Sequence, residues 1–223
     1  LPLRHDETIV IGHGSGGRMT QELIQGVFLD RFPFPPLQAG NDFARVNLDS
    51  QAGLQGSIAI STDMHIVSPL FFTGGDIGRL AVCGTVNDIS MSGGIPLFLT
   101  AGFILEEGLP VATLEKVVSS MAQAAQEAGV QIVAGDTKVA EKGKADGIFI
   151  NTAGFGWIPA GRQIGGAMAQ PGDVVLISGT VGEHGMAVLA ARGELGLLMD
   201  IHSDVAPMNH LIQAVLKAAP HTH

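Results

Sequence analysis

Apolar positions along the chain recur with two different periods, and the switches between them predict its elements. Residues 8–11 form a short apolar run that reads as a strand, followed by Gly12-His13-Gly14-Ser15-Gly16-Gly17. Leu23, Val27 and Phe28 share one face of a helix expected over 18–31, which Phe32-Pro33-Phe34-Pro35-Pro36 stops. Residues 57–62 alternate small polar with apolar side chains, as a half-buried strand does, and Asp63 is expected at its exit. Residues 76–91 read as a buried helix rich in small residues, and 96–105 as a strongly apolar strand. The clearest helix spans 111–128, entered at Pro110 and stopped at Gly129. Strands are expected over 130–134 and 147–158, joined by a polar stretch that holds Gly135-Asp136-Thr137-Lys138.

Between 159 and 172, glycine, proline and small residues cluster without periodicity, which predicts a boundary between domains at 1–160 and 161–223. Beyond it come a strand over 173–178 and helices over 184–192 and 207–218. One strand and two helices are too little for an independent core. The expectation is a complete first α/β (α+β) domain, then the start of a second, truncated before its end.

Composition narrows the function. Twelve basic residues against twenty-one acidic ones give a net charge of -9, a poor basis for binding nucleic acid or anionic membrane. Phosphate handling would therefore fall to backbone N–H groups, metal ions and a few placed cations. The single cysteine, Cys83, cannot form an internal disulfide, so a reducing cytoplasm is the expected compartment. Among apolar helical neighbours it reads as an inert packed thiol. The eight histidines show no metal spacing.

Gly12-x-Gly14-x-x-Gly17 fits a dinucleotide-binding fingerprint, but the proline run that follows the helix cannot supply the second strand of that fold. A Walker A loop fails as well, because Arg18 and Met19 stand where Lys and Ser/Thr are needed. Two readings remain for Gly14, Ser15, Gly16 and Gly17. One is a loop whose N–H groups close over phosphate oxygens, the other a loop without a ligand. The first needs metal-binding partners elsewhere. Asp42, Asp63, Asp88 and Asp136 offer them, each among small, apolar or uncharged neighbours and each expected at the end of an element. Capping and turn chemistry is the competing explanation for each acid. Magnesium takes a few carboxylates together with phosphate oxygens and water. Gly84 lies one helical turn before Asp88 and keeps that face open. Lys138 follows Asp136 by two positions, so on a strand the two share a face.

Several runs resemble the HypE hydrogenase-maturation family. They are Ser61-Thr62-Asp63, Ser68-Pro69-Leu70-Phe71-Phe72, Gly74-Gly75-Asp76-Ile77-Gly78, Gly84-Thr85-Val86-Asn87-Asp88, Gly135-Asp136-Thr137-Lys138, Phe149-Ile150-Asn151 and Gly182-Glu183-His184-Gly185. The resemblance covers nearly the whole chain in order. It implies an aminoimidazole ribonucleotide synthetase-like fold with a mixed sheet and helices, and an N-terminal domain that pairs into a homodimer. It also implies an activity: HypF carbamoylates a C-terminal cysteine, and ATP-dependent dehydration turns that group into a thiocyanate. The cyanide then passes to the HypC–HypD complex for the [NiFe]-hydrogenase iron. Carried over by motif, magnesium falls to Asp42, Asp63, Asp88 and Asp136. ATP falls to Gly14, Ser15, Gly16, Gly17, Thr62, Asn87, Gly135, Thr137, Lys138 and Asn151. Asp63, Asp88 and Asp136 are then expected to converge on one site. The family's tail cysteine is absent, since no cysteine follows Cys83. The competing functions are a sister ATP-dependent small-molecule kinase or synthetase and a non-catalytic maturation scaffold.

Overall fold

The computed structural model describes residues 17–23, 25, 44–47, 56–193 and 201–223. A five-stranded sheet in the order β1-β2-β7-β5-β6 organises the chain. Its strands are β1 (Ala44–Asn47), β2 (Gly56–His65), β5 (Ile95–Glu106), β6 (Gln131–Ala140) and β7 (Ile148–Pro159). All neighbours run antiparallel except β5 and β6, which are parallel. That one parallel pair requires a crossover, and α3 (Val111–Ala128) provides it. A two-stranded ribbon, β3 (Phe71–Phe72) with β4 (Gly75–Asp76), leads into α2 (Ile77–Met91).

Helices α2 and α3 cover one face of the sheet. Odd positions of β2 and even positions of β7 are buried beneath them. Ile77, Val82, Val86, Leu99, Ala101, Val117, Met121 and Ile150 form the main core with their neighbours. Asp76 caps α2, its Oδ1 accepting the N–H groups of Gly78 and Arg79. Gly129 ends α3 in the left-handed conformation at φ 71. Two further helices, α4 (Glu183–Arg192) and α5 (Asn209–Ala218), follow, and α1 (Arg18–Leu23) opens the described part of the chain.

Three expectations change. Residues 135–138 do not join two strands but continue β6, because the parallel ladder with β5 runs from Gln131 to Ala140. An edge strand tolerates such polar residues, and nine of its ten residues are exposed. The strand expected over 173–178 is absent. Val174, Val175, Leu176 and Ile177 are 70 to 85% exposed, and a strand needs a ladder partner that no described strand offers. Asp63 lies inside β2, not at its exit, and Asp88 and Asp136 likewise lie within α2 and β6. The strand over 8–11, most of the helix over 18–31, Asp42, and Gly14 to Gly16 lie outside the described residues.

Candidate functional site

The acids separate by strand parity. Ser57, Ala59, Ser61, Asp63 and His65 occupy alternate positions of β2 and face α2. There the otherwise apolar core turns polar. Ser61 Oγ donates a 2.8 Å hydrogen bond to Asp88 Oδ2 on α2. Asp63 Oδ1 accepts the N–H of Met64 at 2.8 Å, while Oδ2 points at Gly84. A Cβ on Gly84 would stand 2.8 Å from that oxygen and 3.0 Å from His65 Cε1. The missing side chain therefore makes the space in which Asp63 sits. Gly84 and Asp88 are one turn apart, about 6 Å along the helix axis, so the two carboxylates occupy one side of α2. Beneath them Thr152 Oγ1 donates to the carbonyl of Ala81, and the hydroxyls of Thr85 and Thr152 are 2.6 Å apart.

His65 closes this row. Its ring is buried, 6% exposed, and its Nε2 has no hydrogen-bond partner among the described residues. Asp63 Oδ2 lies 3.4 Å from it. Burial lowers the pKa of His65, and the Asp63 charge opposes that only in part. Sequence reasoning passed over His65 because it looked for metal spacing among histidines. The signal was the period of two, which puts it on the same face as Asp63.

Asp136 does not join this group. It pairs with Gly102, which pairs with Asn151, which pairs with Met64. Asp63 belongs to the next row, with Thr152, Ala101 and Gly135. Adjacent rows face opposite sides of a sheet. Three strand spacings, about 14 Å, also separate β2 from β6. The expected convergence of three aspartates within one chain is therefore incorrect; Asp63 and Asp88 stand along neighbouring turns of α2 and Asp136 lies across the sheet. Asp136 and Lys138 do share a face, and with Met64, Gly102, Ile104 and Asn151 they line a cavity of about 210 Å³. Asn151 Nδ2 donates to Thr62 Oγ1 and to the carbonyl of Asp63. Thr137 is exposed, and its N–H donates to Asp136 Oδ1.

A larger hollow of about 460 Å³ lies beside α2, lined by Gly84, Asn87, Gly179, His184 and Asp204 among others. Asn87 borders it, but its side-chain amide is already engaged. Nδ2 donates to the carbonyl of Ala206 and Oδ1 accepts the N–H of Met208. Gly17 is exposed at the start of α1, where its carbonyl accepts the N–H of Gln21. Cys83 is buried as expected, its thiol pushed up to about 11 by desolvation. Among the described residues, no three His, Cys, Asp or Glu side chains stand close enough to hold a metal ion unaided. A cation between Asp63 and Asp88 would need phosphate oxygens or water to complete its shell, the usual habit of magnesium. The oxygen donors and the space at Gly84 fit such a group.

Comparison with known proteins agrees with this architecture. Residues 40–158 match the model of the AIR synthase related protein, N-terminal domain. Carbamoyl dehydratase HypE of Cupriavidus necator is 51% identical over 212 residues, 95% of this chain and 59% of that protein. The crystal structure of a HypE–HypF complex superposes with TM-score 0.80 at 56% identity, over 89% of this chain and 62% of that one. HypE in complex with ATP superposes with TM-score 0.70 at 48% identity, over 94% and 61%. The chain thus spans about three fifths of the length of the relatives it matches. It belongs to the AIR synthase related family through its N-terminal domain, and within that family its similarity is to the HypE hydrogenase-maturation proteins.

Proposed function

We propose that this chain forms the nucleotide-binding part of an ATP-dependent carbamoyl dehydratase that converts an S-carbamoyl group on a tail cysteine into a thiocyanate. The observation that carries the reading is the polar row beneath α2, where Asp63 and Asp88 present carboxylates beside the space left by Gly84. Bound magnesium would supply charge neutralisation for the triphosphate. Asp63 and Asp88 hold it, and the hollow beside α2 takes the nucleotide. The chemistry needs little more than placement, because the amide oxygen is a poor leaving group until it carries a phosphoryl group. Transfer of the γ-phosphoryl group to that oxygen breaks its bond to ADP, and the C–O–P linkage then breaks at the C–O bond as the nitrogen gives up its two protons to water. A C≡N bond forms and inorganic phosphate leaves. Gly14 to Gly17 cover the phosphates, while Thr62 and Asn151 serve the site from the open face that also carries Asp136 and Lys138, and Gly135 and Thr137 hold those two in place on β6. Asp42 adds to the metal-binding acids.

The open face of the sheet supports a homodimer. Met64, Ile66, Phe98, Ile104 and Phe155 are 38 to 72% exposed there, an apolar surface of the kind that association covers. A second copy packed on it places Asp136 and Lys138 at the junction of two chains, where the Lys138 cation faces phosphate. HypF loads the carbamoyl group, and the HypC–HypD complex receives the cyanide. No helix among the described residues is long and apolar enough to cross a membrane, in keeping with work in the cytoplasm.

The test is magnesium-dependent ATP hydrolysis by the full-length protein, before and after HypF carbamoylates its tail. Mass spectrometry follows the loss of water from the modified cysteine. Hydrolysis that requires the carbamoylated tail supports the dehydratase. Hydrolysis indifferent to it favours a sister kinase, and none at all favours a scaffold.

A further inference from the structure

Asp63 carries the proposed cation site, and His65 is the buried group beside it that no step above employs. The strand places them two residues apart on one face, so both rings of contact meet the same stretch of α2. Gly84 is the meeting point: its absent Cβ leaves room for Asp63 Oδ2 and for the Cε1 edge of the His65 ring together. Asp63 Oδ1 is already fixed by the Met64 N–H. Oδ2 lies 3.4 Å from His65 Nε2. An ionised carboxylate accepts and never donates, so a hydrogen bond between the two needs the proton on Nε2. Nε2 is buried and has no hydrogen-bond partner among the described residues, an arrangement proteins avoid unless another state satisfies it. Closing the gap by about half an ångström makes an ordinary hydrogen bond.

Resting on the reading of Asp63 as a cation ligand, we propose that His65 is its positioning residue. Its Nε2–H takes Oδ2 as the carboxylate turns to a cation, and with the Met64 N–H on Oδ1 it fixes the carboxylate plane. The remaining lone pairs are left to the cation. His65 touches neither cation nor nucleotide in this role. Partners that orient a metal-binding carboxylate typically change metal affinity by 10- to 100-fold when removed.

The experiment uses the full-length protein with Mn²⁺ and a non-hydrolysable ATP analogue as probes. Titration by electron paramagnetic resonance gives the Mn²⁺ affinity, and pulsed measurements show whether nitrogen ligates the ion. His65→Phe keeps the ring volume and loses the N–H. It should weaken Mn²⁺ binding at least tenfold while leaving the thermal midpoint within a few degrees. His65→Gln, whose amide can donate from nearly the same place, should recover most of the affinity. In the native protein no directly ligating imidazole nitrogen should appear. Unchanged affinity in His65→Phe overturns the proposal, and so does equal loss in both variants with falling stability. A ligating nitrogen signal overturns it differently, by making His65 a ligand. Asp63→Asn separates the two readings: if that variant binds Mn²⁺ as the native protein does, the cation site itself is misplaced.

Discussion

Replacing Gly84 by alanine sets helix stability against the site. The position lies within α2, where alanine favours the helix over glycine by about 1 kcal/mol. The new Cβ would stand 2.8 Å from Asp63 Oδ2 and 3.0 Å from His65 Cε1, so a partner must give way. Both obstructing atoms are side-chain ends rather than backbone, which makes the retreat affordable. His65 is enclosed, at 6% exposure, whereas the Asp63 side chain is 40% exposed and can swing outward. A shift of roughly half an ångström restores van der Waals contact. It strains the bond from the Met64 N–H, worth about 1 kcal/mol. The two effects nearly cancel, so the thermal midpoint of Gly84→Ala should stay within about 3 °C of the native value. Nucleotide binding should not survive so well. A carboxylate turned away from the cation should weaken magnesium–ATP binding by about 10- to 100-fold, or 1.4 to 2.7 kcal/mol. Calorimetric titration of the full-length variant with a non-hydrolysable analogue, beside a thermal melt, reads both numbers. Native affinity at native stability would refute the placement of the site at Gly84. A loss of more than about 10 °C would refute the claim that Asp63 retreats freely.

Three further outcomes follow from other parts of the fold. Thr152→Val removes the donor to the Ala81 carbonyl and strands the Thr85 hydroxyl, so it should cost about 1 to 3 kcal/mol in denaturant unfolding; the double variant with Thr85→Val should recover part of it, and strict additivity would deny the coupling. Glu106 is held below its ordinary carboxyl range chiefly by the Gly143 N–H, then by that of Gly147. Its grip on the loop is intact above the ordinary value of 4.5 and is lost as pH falls through the lowered one. The protection factors of the Gly143 and Gly147 amides should fall only in acid, and loss of protection near neutrality would count against the clamp. Cys83, with its thiol at about 11, should resist alkylation in the native protein and react only on unfolding; rapid native labelling would show that its burial is transient.

Local chemistry was legible wherever one element decided the outcome. Helix α3 follows from Pro110, Gly129 and apolar positions three and four apart, and the structure buries Val117, Met121, Ala124, Ala125 and Ala128 in that spacing. Asp76 was legible as the start of α2 for the same reason, since a capping side chain serves its own first turn. Residues 135–138 misled because glycine, aspartate and threonine are turn formers by composition, while a ladder with β5 overrules composition on an edge strand. The strand over 173–178 had the right residues and no partner. The face on which each acid stands was beyond the sequence. It depends on register between strands far apart in the chain, and a shift of one residue would exchange the faces.

That register leads to a test of how many chains make one site. Asp63 and Asp136 stand on opposite faces and about 14 Å apart across the strands. No rotation of side chains brings them to one substrate within a single chain. If both serve the same reaction, a second copy on the open face must bring Asp136 to bear, since that face carries the exposed apolar residues and Lys138. Asp63→Asn and Asp136→Asn should then each abolish dehydration in their own homodimers. Mixed after unfolding and refolding together, half of the dimers are hybrids, and each hybrid holds one site with both aspartates intact. The mixture should regain about a quarter of native activity, from a two-fold dimer with independent sites. Recovery near zero, with hybrids demonstrated by native mass spectrometry, would place the two acids in separate functions. Full activity of Asp136→Asn alone would remove that residue from the chemistry and leave the open face to association only.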